Sequence, residues 1–121
     1  MQTRPVLAIL LCGCLLLSSC SNVEPFAGDW AGSGVDSDGN EFTFAAKVTA
    51  LEDNGYRVLV LDALDSQKEP LHIMKGILED NKFVYTADEG LYSGGGELKD
   101  GIFTGFYLGP VDGTFTMRRL K

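Results

Sequence analysis

The sequence predicts an all-β fold, a small antiparallel up-and-down barrel of about eight strands. Apolar and polar residues alternate along most of the chain, tight-turn residues recur at regular intervals, and no stretch after residue 25 has a convincing helical period. Consecutive hairpins form an antiparallel meander, and closing that meander removes its exposed edges. A β-sandwich built from the same hairpins is the alternative.

The segment EFTFAAKVTAL, residues 41–51, shows the alternation most clearly. Its even-numbered positions are apolar, whereas Thr43, Lys47 and Thr49 lie on the other face, as in a half-buried strand. The predicted inward set is Phe42, Phe44, Ala46, Val48 and Ala50. Extending this pattern along the chain predicts strands over 28–35, 41–51, 55–62, 71–79, 82–88, 91–98, 102–108 and 113–120.

Turn residues separate these predicted strands. Asn-Gly and Asp-Gly pairs supply the positive φ angles that tight hairpins need. The turn sequences are Asp38-Gly39-Asn40, Asp53-Asn54-Gly55, Asp80-Asn81, Asp100-Gly101 and Asp112-Gly113. Only residues 62–70, DALDSQKEP, form a link long enough for a helical turn.

Glycine and aromatic residues together predict a narrow, mostly filled interior. Glycine inside a strand permits sharp coiling and a close approach of neighbouring strands. Within the predicted strands the glycines are Gly32, Gly34, Gly76, Gly94, Gly95, Gly96 and Gly105. Aromatic residues at strand spacing are expected to be mainly core: Phe42, Phe44, Tyr56, Phe83, Tyr85, Phe103, Phe106 and Phe115.

The N-terminal segment has the organisation of an export signal. Arg4 is followed by an apolar run over 6–17, which is shorter than the roughly 20 residues needed to span a bilayer. The sequence Leu17-Ser18-Ser19-Cys20 resembles the lipobox of bacterial lipoproteins. That resemblance implies a signal peptide over 1–19 and a lipid-modified Cys20. An ordinary signal peptide that leaves Cys20 as a free thiol is the alternative.

The predicted domain boundaries follow from this interpretation of the N-terminal segment as a lipoprotein signal peptide. Residues 20–26 are predicted to be the lipidated N-terminus and tether, and residues 27–121 the barrel domain. Cys12 and Cys14 would leave with the signal peptide, so one exported cysteine remains and lipidation accounts for it. Ser21 follows the cysteine, which in Gram-negative lipoproteins implies the outer membrane, facing the periplasm.

The charge balance narrows the possible partners. The chain has 17 acidic and 10 basic residues, which argues against nucleic-acid binding because phosphate recognition needs clustered cations. It also argues against electrostatic adhesion to anionic lipid, so membrane attachment would depend on the lipid at Cys20. The acidity is spread through the turns and is interpreted as a contribution to solubility.

The two ends of the predicted barrel carry a second resemblance. Gly28-x-Trp30 in the first strand resembles the opening motif of lipocalins and related calycin barrels, in which an arginine of the last strand lies over the tryptophan. Arg119 has the matching position in the last strand. The resemblance implies a structural pair, Trp30 and Arg119, that closes one barrel end. The chain is shorter than a typical lipocalin and lacks its C-terminal helix.

A third resemblance covers about residues 27–120. The glycine, aromatic and arginine spacing of Gly28-x-Trp30-x-Gly32, residues 95–105 and Gly113-x-Phe115-x-Met117-x-Arg119 is similar to a small β domain of planctomycete-type bacteria. That domain often accompanies a 3-keto-disaccharide hydrolase-like domain. The resemblance implies an envelope setting near carbohydrate processing, with an envelope protein or carbohydrate as partner. It supplies no catalytic residue.

Few residues have the spacing of a catalytic or metal site. His72 is the only histidine, and a Ser–His–Asp arrangement with Ser93 has no nucleophile elbow to support it. One histidine and no free cysteine leave too few ligands for zinc. Asp36, Asp38 and Asn40 fit the first positions of a calcium loop.

The calcium-loop pattern fails at its later positions. Position six would be Glu41 where glycine is needed, and position twelve would be Lys47 where glutamate is needed. The glycines over 94–96 are followed by a strand and not by a helix, so they predict a bend and not a phosphate loop.

Three classes of function therefore remain. The first is a lipid-anchored, non-catalytic barrel module with a binding or accessory role. The second is a calycin-like carrier of a small apolar ligand, and the third is a hydrolase. The sequence predicts no cofactor and no metal, and it leaves the ligand-binding residues unknown. A cavity of about 300 Å³ or more would favour the carrier over the filled barrel.

Overall fold

A computed structural model describes residues 25–120. The predicted signal peptide and Cys20 lie outside the described residues. Eight strands are present in this part of the chain. They are β1 (Gly28–Asp36), β2 (Glu41–Ala50), β3 (Gly55–Leu61), β4 (His72–Glu79), β5 (Lys82–Ala87), β6 (Tyr92–Lys99), β7 (Ile102–Leu108) and β8 (Gly113–Arg119).

The strands form one closed antiparallel barrel in sequence order. Closure is made between β1 and β8, where Trp30 is paired with Arg119 and Gly34 with Phe115. The prediction of an eight-stranded up-and-down barrel is confirmed, and the sandwich alternative is wrong because the first and last strands are hydrogen-bonded neighbours. Each strand boundary lies within one residue of its predicted position.

The hairpins give the barrel two different ends. At the end that holds the start of β1, β4 connects to β5 and β6 to β7 through two residues each, and Asp80, Asn81, Asp100 and Gly101 all have positive φ. We call this the closed end. The third connection at this end, residues 51–54, has four residues. At the opposite end, the open end, every connection has four residues or more, and the longest spans residues 62–71.

The link over 62–71 contains no helix. Within this link, the Ser66 amide donates a backbone hydrogen bond to the Ala63 carbonyl at 3.1 Å. This hydrogen bond closes a single turn. In residues 25–120 there is no helix long and apolar enough to cross a bilayer.

Inward aromatic rings lie opposite glycines on neighbouring strands. Gly32 faces Phe44 across β1 and β2, and a Cβ at Gly32 would lie 2.8 Å from both the Met117 Cβ and the Thr116 carbonyl oxygen. Gly94 is paired with Tyr85, which allows the Tyr85 hydroxyl to donate to the Phe106 carbonyl of β7 at 2.9 Å. The glycines therefore make room for rings that lie across the sheet.

Five of the eight aromatic residues predicted to be core are buried, Tyr56 is partly buried, and two are exposed. Phe106 is 44 % exposed because it lies on the outer face, opposite Gly95. Phe42 is 36 % exposed although it has the inward parity of β2, because it lies at the open end of the barrel. Strand parity predicts the direction of a side chain, and the distance from the barrel end decides its burial.

Candidate functional site

The interior holds a cavity of about 370 Å³ in its open half. Its buried lining is apolar and includes Val58, Met74, Phe115 and Met117. Half-exposed side chains such as Leu71 lie at its mouth. The expectation of a mostly filled barrel is therefore wrong for this half of the molecule, and the cavity exceeds the size expected to distinguish a carrier from a filled barrel.

Four polar side chains lie at the mouth of the cavity. Asp36 ends β1, His72 begins β4, Tyr92 begins β6 and Tyr107 lies near the end of β7. The Tyr92 and Tyr107 rings are in edge contact, with centroids 6.0 Å apart. An apolar ligand body in the cavity would thus have its polar head among two phenols, an imidazole and a carboxylate.

Deeper in the cavity, the Tyr85 hydroxyl is already satisfied by the Phe106 carbonyl. Burial raises the pKa of Tyr85, and the neighbouring Tyr107 adds to the increase. This phenol remains protonated at physiological pH. It lines the wall of the cavity and is not a free polar group in it.

The His72 and Asp88 side chains are hydrogen-bonded to each other at the mouth. The His72 Nδ1 and the Asp88 Oδ2 are 2.7 Å apart, and the Asp88 Oδ1 accepts the Ile73 amide at 3.1 Å. Burial raises the pKa of Asp88, but the hydrogen bonds from His72 and Ile73 outweigh it and the net pKa lies below the ordinary value. Asp88 therefore fixes both the His72 ring and the turn that joins β5 to β6.

Ser93, the serine considered for a Ser–His–Asp arrangement, does not lie beside this pair. Ser93 is exposed on the outer face of β6, between Tyr92 and Gly94, which both face the interior. A Ser–His–Asp arrangement needs the serine hydroxyl within hydrogen-bond reach of the imidazole. His72 and Ser93 lie on opposite sides of the barrel wall, so they do not form one.

Asp36 has a structural role in its loop. Its carboxylate accepts the Asp38 and Asn40 amides, both at 2.9 Å, and the Asn40 side-chain amide at 3.2 Å. The hydrogen bonds from Asn40 lower the pKa of Asp36, so this carboxylate is charged at neutral pH. Within residues 25–120, no group of three or more His, Cys, Asp or Glu side chains is placed to hold a metal ion.

At the closed end, the structure places Arg119 over Trp30. The guanidinium carbon lies 4.8 Å from the centre of the indole, and Trp30 is fully buried. The same guanidinium donates to the Ala27 carbonyl at 2.9 Å and to the Pro25 carbonyl. Gly28 has a φ of +136°, and a Cβ there would lie 2.7 Å from the Arg119 Nη1. Arg119 thus holds residues 25–27 across this end of the barrel through these hydrogen bonds.

Phe26 fills the interior beneath that clamp. It is 1 % exposed, and its ring centre lies 5.1 Å from those of Tyr56 and Phe83. The Trp30 indole donates to the Phe26 carbonyl at 3.0 Å. Phe26, which the sequence places in the predicted tether, is therefore a residue of the barrel core.

Sequence reasoning missed four residues that the structure makes important: Phe26, Tyr92, Tyr107 and Asp88. For the first three a signal was present, since strand parity extended by two residues from Gly28 reaches Phe26 and the parities of β6 and β7 point both tyrosines inward. Asp88 had no such signal, because its partner His72 is sixteen residues away.

The comparisons with known proteins support the fold of this protein but give no information on its function. A solved structure described as a redesigned β barrel is similar over 78 % of this chain and 91 % of its own, with a TM-score of 0.55 and 17 % sequence identity. At that identity the likeness shows a β-barrel fold alone. No protein-family model and no curated protein matches this sequence.

Proposed function

We propose that this protein is a lipid-anchored, non-catalytic barrel of the cell envelope that binds a small, mainly apolar ligand in the open-end cavity. The observation that carries the proposal is the cavity itself. Its volume of about 370 Å³ lies within the range of small-molecule sites, roughly 300–1,000 Å³. Its lining also has the composition of such sites, with apolar walls and a few polar groups gathered at the entrance.

The distribution of packing supports a binding role for the open half. Phe26, Trp30, Phe83 and Phe103 fill the closed half and are each at most 1 % exposed. Those residues form a packed hydrophobic core in the closed half. The open half is therefore not needed to supply the whole hydrophobic core. An eight-stranded barrel is just wide enough to hold one small ligand in this way.

The proposed anchor would attach at the closed end. Pro25 is held there by Arg119, and five residue steps separate Cys20 from Pro25. An extended chain covers at most about 3.6 Å per residue, so the tether would reach roughly 18 Å. The cavity would then open away from the membrane, where a ligand can enter from the aqueous side.

The lipid anchor is tested by labelling cells with a clickable fatty acid. Cys20→Ser is expected to abolish the label, because the resemblance to a lipobox implies that the Cys20 sulfur carries the lipid. Cys14→Ser is the matched control, since that residue would leave with the signal peptide and its loss is expected to preserve the label. A Cys20→Ser protein that retains the label would contradict the lipoprotein proposal.

The ligand site is tested with the neutral fluorescent probe N-phenyl-1-naphthylamine and two matched valine substitutions. Val60→Phe adds a ring inside the cavity, and we expect it to weaken binding by about tenfold or more, roughly 1.4 kcal/mol. Val84→Phe makes the same change on the outer wall, where Val84 is 71 % exposed, and should leave binding unchanged.

Two results would contradict the site. One is probe binding that both valine variants lower equally, and the other is no saturable binding by the unsubstituted protein. The carbohydrate setting implied by sequence resemblance stays a prediction, which a pull-down from envelope extracts in the presence of competing disaccharides would examine.

A further inference from the structure

The acidic residues of this protein are sorted toward the open end. The connections there, 36–41, 61–72, 87–92 and 108–113, carry nine acidic side chains and one lysine. The lysine, Lys68, lies 3.7 Å from Asp62 and is partly neutralised by it. The acidic set is Asp36, Asp38, Glu41, Asp62, Asp65, Glu69, Asp88, Glu89 and Asp112.

The closed end has a different balance. Its hairpins and terminal segments, 25–28, 50–55, 79–82, 99–102 and 119–120, carry five acidic and three basic side chains. The excess of negative charge is therefore larger at the cavity mouth than at the closed end. Fixed charge of one sign around a cleft with low-dielectric walls raises the local concentration of ligands of the opposite sign.

The mouth also has aromatic rings where a cation would lie. Phe42, Tyr92 and Tyr107 line the cavity, with Tyr107 in contact with each of the other two at centroid distances of 6.3 and 6.0 Å. Aromatic faces attract ammonium groups, and most strongly when water is excluded. A carboxylate beside such rings is the usual complement for an organic cation.

The acidic residues of the mouth act on the Tyr107 phenol. Burial raises the pKa of Tyr107, and the charges of Asp36 and Asp112 raise it further because a tyrosinate would be repelled there. The Asp36 carboxylate is held toward its own loop by the Asp38 and Asn40 amides, so its charge stays at the mouth. An anionic head group would meet the same repulsion as the tyrosinate.

We propose that the ligand of the open-end cavity is a small organic cation, an apolar or aromatic body that fills the cavity and an ammonium group that lies at the acidic, tyrosine-lined mouth. This inference rests on the proposed binding function and adds the charge of the ligand to it. The apolar lining of the cavity favours an apolar or aromatic ligand body, and the acidic mouth favours a positively charged head group.

The test is a calorimetric titration of the purified protein with three compounds of one shape. They are 1-naphthylmethylammonium, the neutral 1-naphthylmethanol and the anionic 1-naphthoate. We expect the cation to bind about tenfold or more tightly than the alcohol, and the anion more weakly than the alcohol. The preference for the cation should shrink when the salt concentration rises from about 0.01 to 0.15 M, since the mouth acids are partly exposed to solvent.

Paired variants locate the source of the preference. Asp36→Asn/Asp112→Asn removes two charges at the mouth, and we expect the affinity for the cation to fall by at least about threefold more than the affinity for the neutral alcohol. Glu52→Gln/Asp53→Asn removes two charges at the closed end and should change the affinity for neither compound. A far-UV circular dichroism spectrum that matches that of the unsubstituted protein shows that each variant is folded.

The possible outcomes separate the two proposals. Equal binding of all three compounds, or a preference for the naphthoate, overturns the cationic ligand and leaves the binding function standing. Failure of every compound to bind overturns the binding function itself. A preference for the cation that the closed-end pair reduces as much as the mouth pair also overturns the inference, because the selectivity would then come from net charge alone.

Discussion

Phe26→Ala is expected to lower the free energy of unfolding by about 3–5 kcal/mol, the cost of removing a fully buried phenylalanine. The Phe26 ring is 1 % exposed and lies against Trp30, Tyr56, Phe83 and Phe103. These neighbours belong to β1, β3, β5 and β7, so the ring contacts strands all round the barrel. Backbone hydrogen bonding in the closed barrel prevents those strands from collapsing onto the space left behind.

Urea denaturation of the purified protein measures this loss, and Phe106→Ala is its matched control. Phe106 is 44 % exposed on the outer wall, so its truncation should cost about 1 kcal/mol or less. If Phe26→Ala and Phe106→Ala were equally mild, residue 26 would belong to the tether, and the account of a filled closed end would fail.

The second large effect is expected at Gly94. Gly94→Ala should destabilise the protein by about 2–4 kcal/mol, through overpacking and the loss of a buried hydrogen bond. A Cβ at this position would collide with the Phe106 carbonyl oxygen and lie 2.7 Å from the Tyr85 hydroxyl. The carbonyl belongs to the β6–β7 pairing, so it cannot move away without opening the sheet.

Gly95→Ala provides the control because it makes the same change one residue further along β6. Its Cβ would face outward, with its nearest neighbour, the Phe83 carbonyl oxygen, at 3.0 Å and the Phe106 ring at 3.7 Å. We expect a change of less than about 1 kcal/mol in the same denaturation experiment. A Gly94→Ala protein as stable as Gly95→Ala would show that Tyr85 does not lie across β6 in the way described.

The sequence predicts the strands and their closure well, because both depend on local chemistry. Asn81 and Asp100 adopt positive φ in two-residue connections, which is what Asp-Asn and Asp-Gly pairs favour. The alternation along β2 predicts the burial of Phe44, Ala46 and Val48. Ala45 is buried as well, at 8 %, although its parity points it outward.

The cavity could not be predicted in the same way, because it depends on how volume is distributed along the barrel axis. The number of aromatic residues indicates the total side-chain volume inside the barrel but not where that volume lies. Phe26 precedes the first strand, and its ring lies in the closed half. In the open half, the small side chain of Ala87 leaves space that Phe42, partly exposed at the rim, does not fill.

The charge asymmetry was accessible from the sequence once the topology was known. In an up-and-down barrel, alternate connections lie at the same end, so every second turn belongs to the open end. The pair formed by His72 and Asp88 was not accessible, since it depends on the register between β4 and β5. Local pattern thus predicts which residues face inward, and tertiary register decides which of them meet.

The central claim is that the barrel is filled at its closed end and holds a ligand in its open half. Methyl NMR of the purified protein during titration with 1-naphthylmethylammonium tests it most directly. We predict saturable shifts for the methyl groups of Val60, Met74 and Ala87, which line the cavity, and none for Val48 and Leu98, which do not. Shifts confined to outer-wall methyl groups such as those of Val84, or no shifts at all, would contradict the account.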